Sequence, residues 1–455
     1  MALNTYLPQD RLRALARGGS LPDRANGSAL FADISGFTPL TEALRALLGA
    51  RRGAEEVTRY LGEVYTALIA EVELHGGSVI DFAGDSILCW FDAAQGQAEA
   101  RAVHCALALQ QALLSFSSIP LSNGTTISIA VKVAVATGPA RRFVVGDPGI
   151  NYLDVLAGST VSRTSTGEQL ALKGEVIVDR ATVDALGPDL SISEWRTDYA
   201  VLKDFSGKVN LPVTTEATIP LDEEELKVWL NYAAYERERS GQDALMTEFR
   251  PCIAVFVRFT GIDYDSDEAG GQLHTFIQWI QNKTEELGGT LLQITIGDKG
   301  NYVYVNFGAL SMHEDDSRRA VNLALALREA ARLLGFLAPL QIGITQGTMF
   351  VGRHGGPTRK WFGALGDDVN LAARLMVTAA PGEILISGHV RKAVMDEFKL
   401  ESRPPVVIKG KSEPLPTFLV LGLHQQRSVR LQEPAYVLPM IGREHELEIL
   451  SQKIS

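Results

Sequence analysis

The chain carries one pattern twice, and that duplication limits the possible folds more than any single motif. HGGSVIDFAGDSILCWF at 75–91 matches LGGTLLQITIGDKGNYVYVNF at 287–307. The elements around them recur in the same order. Each copy has an apolar strand (28–34; 251–258), a helical stretch, two short apolar runs about a Gly-Asp turn, and an Ala/Leu-rich helix. Alternating strands, a second helix and a short strand (175–179; 383–387) follow. This is an internal duplication of roughly 190 residues. Strands alternating with helices and hairpins predict an α+β class, with a mixed or antiparallel sheet and helices on one face. Two such copies with matching faces predict a pseudo-symmetric pair fused into one chain.

The expected division is an extension over 1–24, a first domain over 25–215 and a second over 251–425. A linker helix over 216–250 joins them, and a further domain begins within 426–455. Three bulk properties narrow the partners. The net charge is −11 and the acids are spread along the chain, which argues against nucleic acid or an anionic membrane. No uncharged apolar run reaches the ~18–20 residues a spanning helix needs, and the N-terminus has no signal-like apolar core. Cys89, Cys105 and Cys252 lie in apolar segments without metal-site spacing, as expected of buried thiols in a cytoplasmic protein.

FADISGFT at 31–38 ends a buried strand in Asp33 and continues into residue types that open a helix around an anion. Asp85 sits in the AGDS turn of the same copy. If the two strands are neighbours, both acids and the backbone carbonyl of Ile34 converge into a hard oxygen site suited to Mg²⁺ or Mn²⁺. Backbone N–H groups from Ser35, Gly36, Phe37 and Thr38 would face a phosphate. The second copy has Arg258 and Asn301 where the first has Asp33 and Asp85. It offers Lys299 instead, and GDDVNLAARL places Asn370 and Arg374 four residues apart on one helix face. Their counterparts in the first copy are Ser162 and Thr166. Each half holds what the other lacks, so one composite site between the halves is expected.

FADISGFT, FAGDSIL and GDDVNLAARL resemble the signature segments of class III nucleotidyl cyclases. The tandem arrangement resembles the soluble, bicarbonate-responsive adenylyl cyclases, over about residues 25–425. The resemblance implies two ferredoxin-like, palm-type cyclase homology domains forming an intramolecular pseudo-heterodimer. It implies two divalent metal ions on Asp33 and Asp85, joined by the Ile34 carbonyl. Lys299 would read the purine edge, Asn370 hold the ribose or orient the nucleophile, and Arg374 stabilise the α-phosphate. Lys409, or Lys411, would meet the terminal phosphates. Gly363 falls at the second base-selecting position, where no side chain can accept from an adenine amino group. MIGREHELEIL resembles the opening of the NTPase domain that often follows such pairs, which implies a fused C-terminal NTPase.

The expected function is therefore cyclisation of ATP to 3′,5′-cyclic AMP and pyrophosphate, by a chain active as a monomer. The alternatives are a weak or inactive nucleotide-binding module controlling the NTPase, or a cyclase with mixed ATP and GTP use. None of the eight histidines falls in the motifs, so no protein base is expected. The bicarbonate-responsive relatives carry a Lys four residues before the second metal acid. Asp81 stands there, so bicarbonate activation is not expected.

Overall fold

The structure, a computed structural model, describes residues 3–212, 221–239, 248–297, 300–406 and 414–424, plus positions 445, 449, 452 and 453. Nearly all of 426–455, where a following domain was expected to begin, lies outside the described residues.

After α1 (Gln9–Ala16), the first half runs β1 (Arg24–Ser35), α2 (Phe37–Leu74), β2 (Ser78–Ala83), β3 (Ser86–Asp92) and α3 (Ala98–Ala112). A short hairpin, β4 (Ile119–Pro120) and β5 (Thr126–Ile127), precedes β6 (Ala130–Val145), β7 (Leu153–Ala157) and α4 (Ser159–Leu170). β8 (Val176–Asp179), α5 (Arg180–Leu186), β9 (Leu190–Arg196) and β10 (Tyr199–Phe205) complete it. The expected single linker helix is two short ones, α6 (Glu223–Lys227) and α7 (Tyr232–Arg239), separated by a turn. The second half repeats the series with β11 (Glu248–Phe259), α8 (Ala269–Glu286), β12 (Thr290–Thr295), β13 (Asn301–Phe307) and α9 (Asp316–Leu334). Then follow β14 (Gln341–Gly355), β15 (Lys360–Leu365), α10 (Asp367–Thr378), β16 (Ile384–Ser387), α11 (Gly388–Val394), β17 (Phe398–Val406) and β18 (Leu415–Leu423).

The two sheets have one topology. Strand order is β2-β3-β1-β6-β8-β10-β9 in the first and β12-β13-β11-β14-β16-β18-β17 in the second, with β7 and β15 added on β6 and β14. β6 and β8, like β14 and β16, run parallel, so the sheets are mixed. Helices cover both faces, not one as expected. Leu30, Ala32 and Ile34 of β1 pack under α2 and α3, while Ala29 and Phe31 turn to the other face, where Val161 of α4 lies. In the second half, Ala254 and Phe256 pack with Val369, Ala372 and Met376 of α10 on that opposite face. A strand buried on both sides has no alternation to reveal a second layer.

The halves exchange arms. Phe143, Val145, Val155 and Ala157, from the β6–β7 arm, are part of the second half's core. Trp361 and Leu365, from the β14–β15 arm, pack against the first half's core. Gln281 of α8 accepts from the Asp147 N–H at 2.7 Å and donates to the Asn151 carbonyl at 2.8 Å. Leu3 and Leu7 of the N-terminal extension meet Leu226, Leu230 and Tyr235 of the linker in a small apolar cluster. Arg142 is buried between Asp10 (2.8 Å) and Asp154, and Asp154 also receives Arg11 at 2.9 Å. Extension, linker and first arm are thereby one packed unit.

Candidate active site between the halves

β1 lies between β3 and β6, so its C-terminal end is set by two ladders. Asp33 is opposite Ser86, whose hydroxyl donates to Asp33 Oδ1 at 2.9 Å. Lys132 on β6 reaches Asp33 Oδ2 at 3.5 Å and also pairs with Glu168 of α4. Asp85 occupies the β2–β3 turn, and its carbonyl accepts the Ile34 N–H at 3.1 Å. The two acids and Ile34 are thus brought to one sheet edge. The buried phenol of Tyr65 in α2 donates to the Gly84 carbonyl at 2.6 Å. Burial first, then the charges of Asp85, Asp33 and Asp81, push its ionisation well above the usual range. Two carboxylates and a backbone carbonyl make an all-oxygen donor set, which fits a hard divalent ion. No cluster of three or more His, Cys, Asp or Glu that could hold a metal is present among the described residues. A metal here would therefore rest on two acids and a carbonyl, with substrate oxygens completing the shell.

Gly36 joins this edge to α2 with φ 109°. A Cβ there would lie 2.4 Å from the Ser128 carbonyl oxygen, so the turn requires glycine. No side chain caps α2, which leaves its first-turn N–H groups without intrahelical partners. On the other half, Asn370 is exposed and Arg374 half-buried on α10. Arg45 of α2 pairs with Asp367, the first residue of α10, at 3.3 Å. Phe82 of β2 stacks on Trp361 of β15, with centroids 6.2 Å apart. Cross-interface contacts thus hold the start of α10 against α2 and β15 against β2.

The registers define the asymmetry. Arg258 faces Tyr302 as Asp33 faces Ser86, which puts Asn301 in the position of Asp85. By the same count Gln293 is the counterpart of Asp81, and both follow a bulge in their strands. The two meet: Gln293 Nε2 is 3.3 Å from Asp81 Oδ2, and the Thr295 hydroxyl is 3.1 Å from the same oxygen. Lys299 lies outside the described residues, as do Lys409 and Lys411. Gly297, before Lys299, packs on Val161 of α4. Gly363 is buried in β15, and the Trp361 ring occupies the space a side chain there would take. Sequence reasoning missed Gln293, Trp361 and Lys132. For Gln293 the signal was present, because the alignment that matched the two hairpins also places it over Asp81. A separate cleft of about 500 Å³ between α2 and the β14–β15 turn is lined by Arg59, Thr66, Arg353 and Lys360 and contains none of the paired acids.

Dense packing around Asp81 desolvates its carboxyl and raises its pKa from 3.8 to about 6, against the opposing bonds from Gln293 and Thr295. The folded state then holds this proton more tightly than the unfolded chain. The resulting stability is present at acid pH and is lost as pH rises through about 6. The full effect is roughly 3 kcal/mol. Asp81→Asn should accordingly melt higher than the parent at pH 7.5, with the gap closing by about pH 4. Thermal melts across that range check it, and a variant less stable than the parent at pH 7.5 contradicts it.

The sequence matches the family described as "Adenylate and Guanylate cyclase catalytic domain" over residues 23–212 and 255–422. The chain belongs to this cyclase family. Similar curated proteins include adenylate cyclase type 10 of Mus musculus, 23% identical across 93% of this chain, and adenylate cyclase 1 of Rhizobium meliloti, 30% identical over 32% of it. The chain spans 28% of the mouse cyclase's length and 21% of the bacterial one's. Among solved structures, a class III adenylyl cyclase-like ATP-binding protein from Pseudomonas aeruginosa superimposes with TM-score 0.57 at 14% identity. The match covers 81% of this chain and 85% of that one, and it supports the cyclase fold of both halves together. The three cysteines are buried and free. No helix among the described residues is long and apolar enough to cross a membrane.

Proposed function

We propose that this chain is an adenylate cyclase, converting ATP to 3′,5′-cyclic AMP and pyrophosphate at one site between its halves. The observation that carries the reading is the reciprocal loss. Asp33 and Asp85 are replaced by Arg258 and Asn301 in one half, and Asn370 and Arg374 by Ser162 and Thr166 in the other. Two independently decaying copies would rarely sort their groups so cleanly.

Asp33, Asp85 and the Ile34 carbonyl would hold two divalent ions, Mg²⁺ or Mn²⁺. Such ions, when bound, acidify the ribose 3′-hydroxyl and neutralise the leaving pyrophosphate. The first-turn N–H groups of α2 receive phosphate oxygens. Asn370 orients the ribose so that its 3′-oxygen lies in line with the α-phosphorus. The new bond joins that oxygen to phosphorus, the bond to the β-phosphate oxygen breaks, and the hydroxyl proton leaves to solvent. Arg374 stabilises the charge that grows on the α-phosphoryl oxygens. Lys299 and Lys409 are assigned the base edge and the terminal phosphates by resemblance alone. We place the chain in the cytoplasm on its buried free thiols. We take it as active in monomeric form because both halves of the site lie in one chain, and as fused to an NTPase domain.

Incubation with ATP and Mn²⁺, then with Mg²⁺, and chromatography of the products tests the reading. Cyclic AMP is the expected product. Unchanged ATP beside measurable ATP affinity would favour the nucleotide-binding module instead. Arg374→Ala should lower kcat by ~10²–10³ with little change in KM, because its charge is used chiefly in the transition state. A loss confined to KM would contradict that role.

A further inference from the structure

The position from which a side chain would read the base is filled by an indole. A Cβ on Gly363 would fall 1.8 Å from Trp361 Cζ3 and 2.6 Å from Cε3 and Cη2. Two residues apart on one strand, the two positions share a face, and the ring uses that face fully. The ring is anchored rather than loosely placed. It stacks on Phe82 of the other half, with planes 20° apart, and its centroid is 5.1 Å from that of His354. In the first half the corresponding pair is Leu153 opposite Val145, purely apolar. The indole is thus particular to the half expected to hold the base. Its one polar atom, Nε1, is buried without a hydrogen-bond partner. That atom is a donor, whereas a 6-amino group on a purine needs an acceptor. Across the interface, Gln293 already spends its amide on Asp81 and the Phe82 carbonyl. As a neutral amide it can present either a donor or an acceptor.

The geometry points to Trp361 as the residue that sets base selectivity. It replaces the second hydrogen-bonding reader with a ring wall, so at that edge the site takes the purine by shape and accepts GTP beside ATP. The inference rests on the proposed nucleotide site but not on its chemistry. A pocket that recognises by apolar contact discriminates by about 10–200-fold, whereas one built on buried hydrogen bonds reaches about 10⁴–10⁵-fold.

The test measures kcat/KM of the full chain for ATP and GTP in Mn²⁺, with calorimetric affinities for 3′-deoxy-ATP and 3′-deoxy-GTP, which lack the attacking hydroxyl. The expected ratio, by turnover and by affinity, is less than about 200-fold. Trp361→Leu with Gly363→Asp, which clears the ring and supplies an acceptor, should shift the ratio toward ATP by at least about 20-fold. Trp361→Phe, which keeps a ring in place, should hold the ratio near the parent's. A parent ratio above about 200-fold overturns the inference while leaving the cyclase reading intact. Deoxynucleotides that bind alike with no cyclic product leave the inference standing and overturn the cyclase reading. Failure of both to bind removes both. The parent's ratio needs no variant, so a poorly folding double mutant does not blunt the test.

Discussion

Replacing Asp33 or Asp85 with asparagine is expected to cut cyclic nucleotide formation by at least about 10³-fold, equivalent to ~4 kcal/mol of transition-state stabilisation. The melting temperature should stay near the parent's. The two outcomes separate because the proposed role of the acids is at the site and their contribution to packing is small. Asparagine is close to aspartate in size and keeps a side-chain oxygen, so little packing changes. At position 33 an asparagine oxygen can still accept from Ser86, 2.9 Å away in the parent. Lys132 loses one partner but keeps Glu168. What the substitution removes is the charged oxygen donor that the proposed function gives to a divalent ion. Parallel measurement of product formation and thermal melting decides the matter. A variant that keeps full activity would sink the two-acid site. A variant that loses activity only because it unfolds would show that the acids are structural.

The duplication was legible because it is a property of pattern, and pattern is written along the chain. That the two halves share one strand order follows from it. The asymmetric pairs also emerged correctly, since Arg258 and Asn301 do take the positions of Asp33 and Asp85 in the ladders. What was not legible depends on contacts between distant segments. β1 has six consecutive buried residues, which read as a buried strand but not as one covered by α2 on one face and α4 on the other. The arm exchange left no trace, because Phe143 and Val155 look like any core residues and nothing local says whose core they enter. The helical stretch after β1 breaks at Gly49, φ 81°, yet its two pieces continue as one element.

The site shows the same division. Motif residues at the ends of strands and helices were legible as candidates, because the proposed chemistry needs those residue types at those places. Trp361 and Gln293 were missed, because their importance comes from what stands opposite them. Trp361 reads as an ordinary strand aromatic until Gly363 is seen to lack room for anything else.

Arg359 is the extreme case, and its removal should produce the largest loss of stability. It sits in a loop sequence, GGPTRK, that reads as solvent-exposed. In the fold it is buried, with Nε donating to the Val79 carbonyl at 3.0 Å and Nη2 to Ile80 at 2.9 Å. Nη1 donates to Tyr6 at 2.7 Å and Lys360 at 2.6 Å, and the guanidinium stands 5.4 Å from the Phe82 ring centroid. One side chain therefore ties the N-terminal extension, β2 of the first half and the arm of the second. Burial lowers its pKa to about 10, so it remains charged at neutral pH. Its fork is answered by carbonyls, a geometry that lysine, a point charge on a flexible stem, cannot reproduce. Arg359→Ala would strand those carbonyls and open a cavity, at a cost of roughly 3–5 kcal/mol. At about 2–4 °C per kcal/mol for domains of this size, the melting temperature should fall by roughly 6–20 °C. Arg359→Lys should fall between alanine and the parent. Activity should drop as well, although the residue touches none of the proposed catalytic groups. The arm it anchors carries Trp361, and α10 with Asn370 and Arg374 follows directly from that arm. An alanine variant within about 1 kcal/mol of the parent would mean that the halves are held together elsewhere, by the exchanged apolar arms alone.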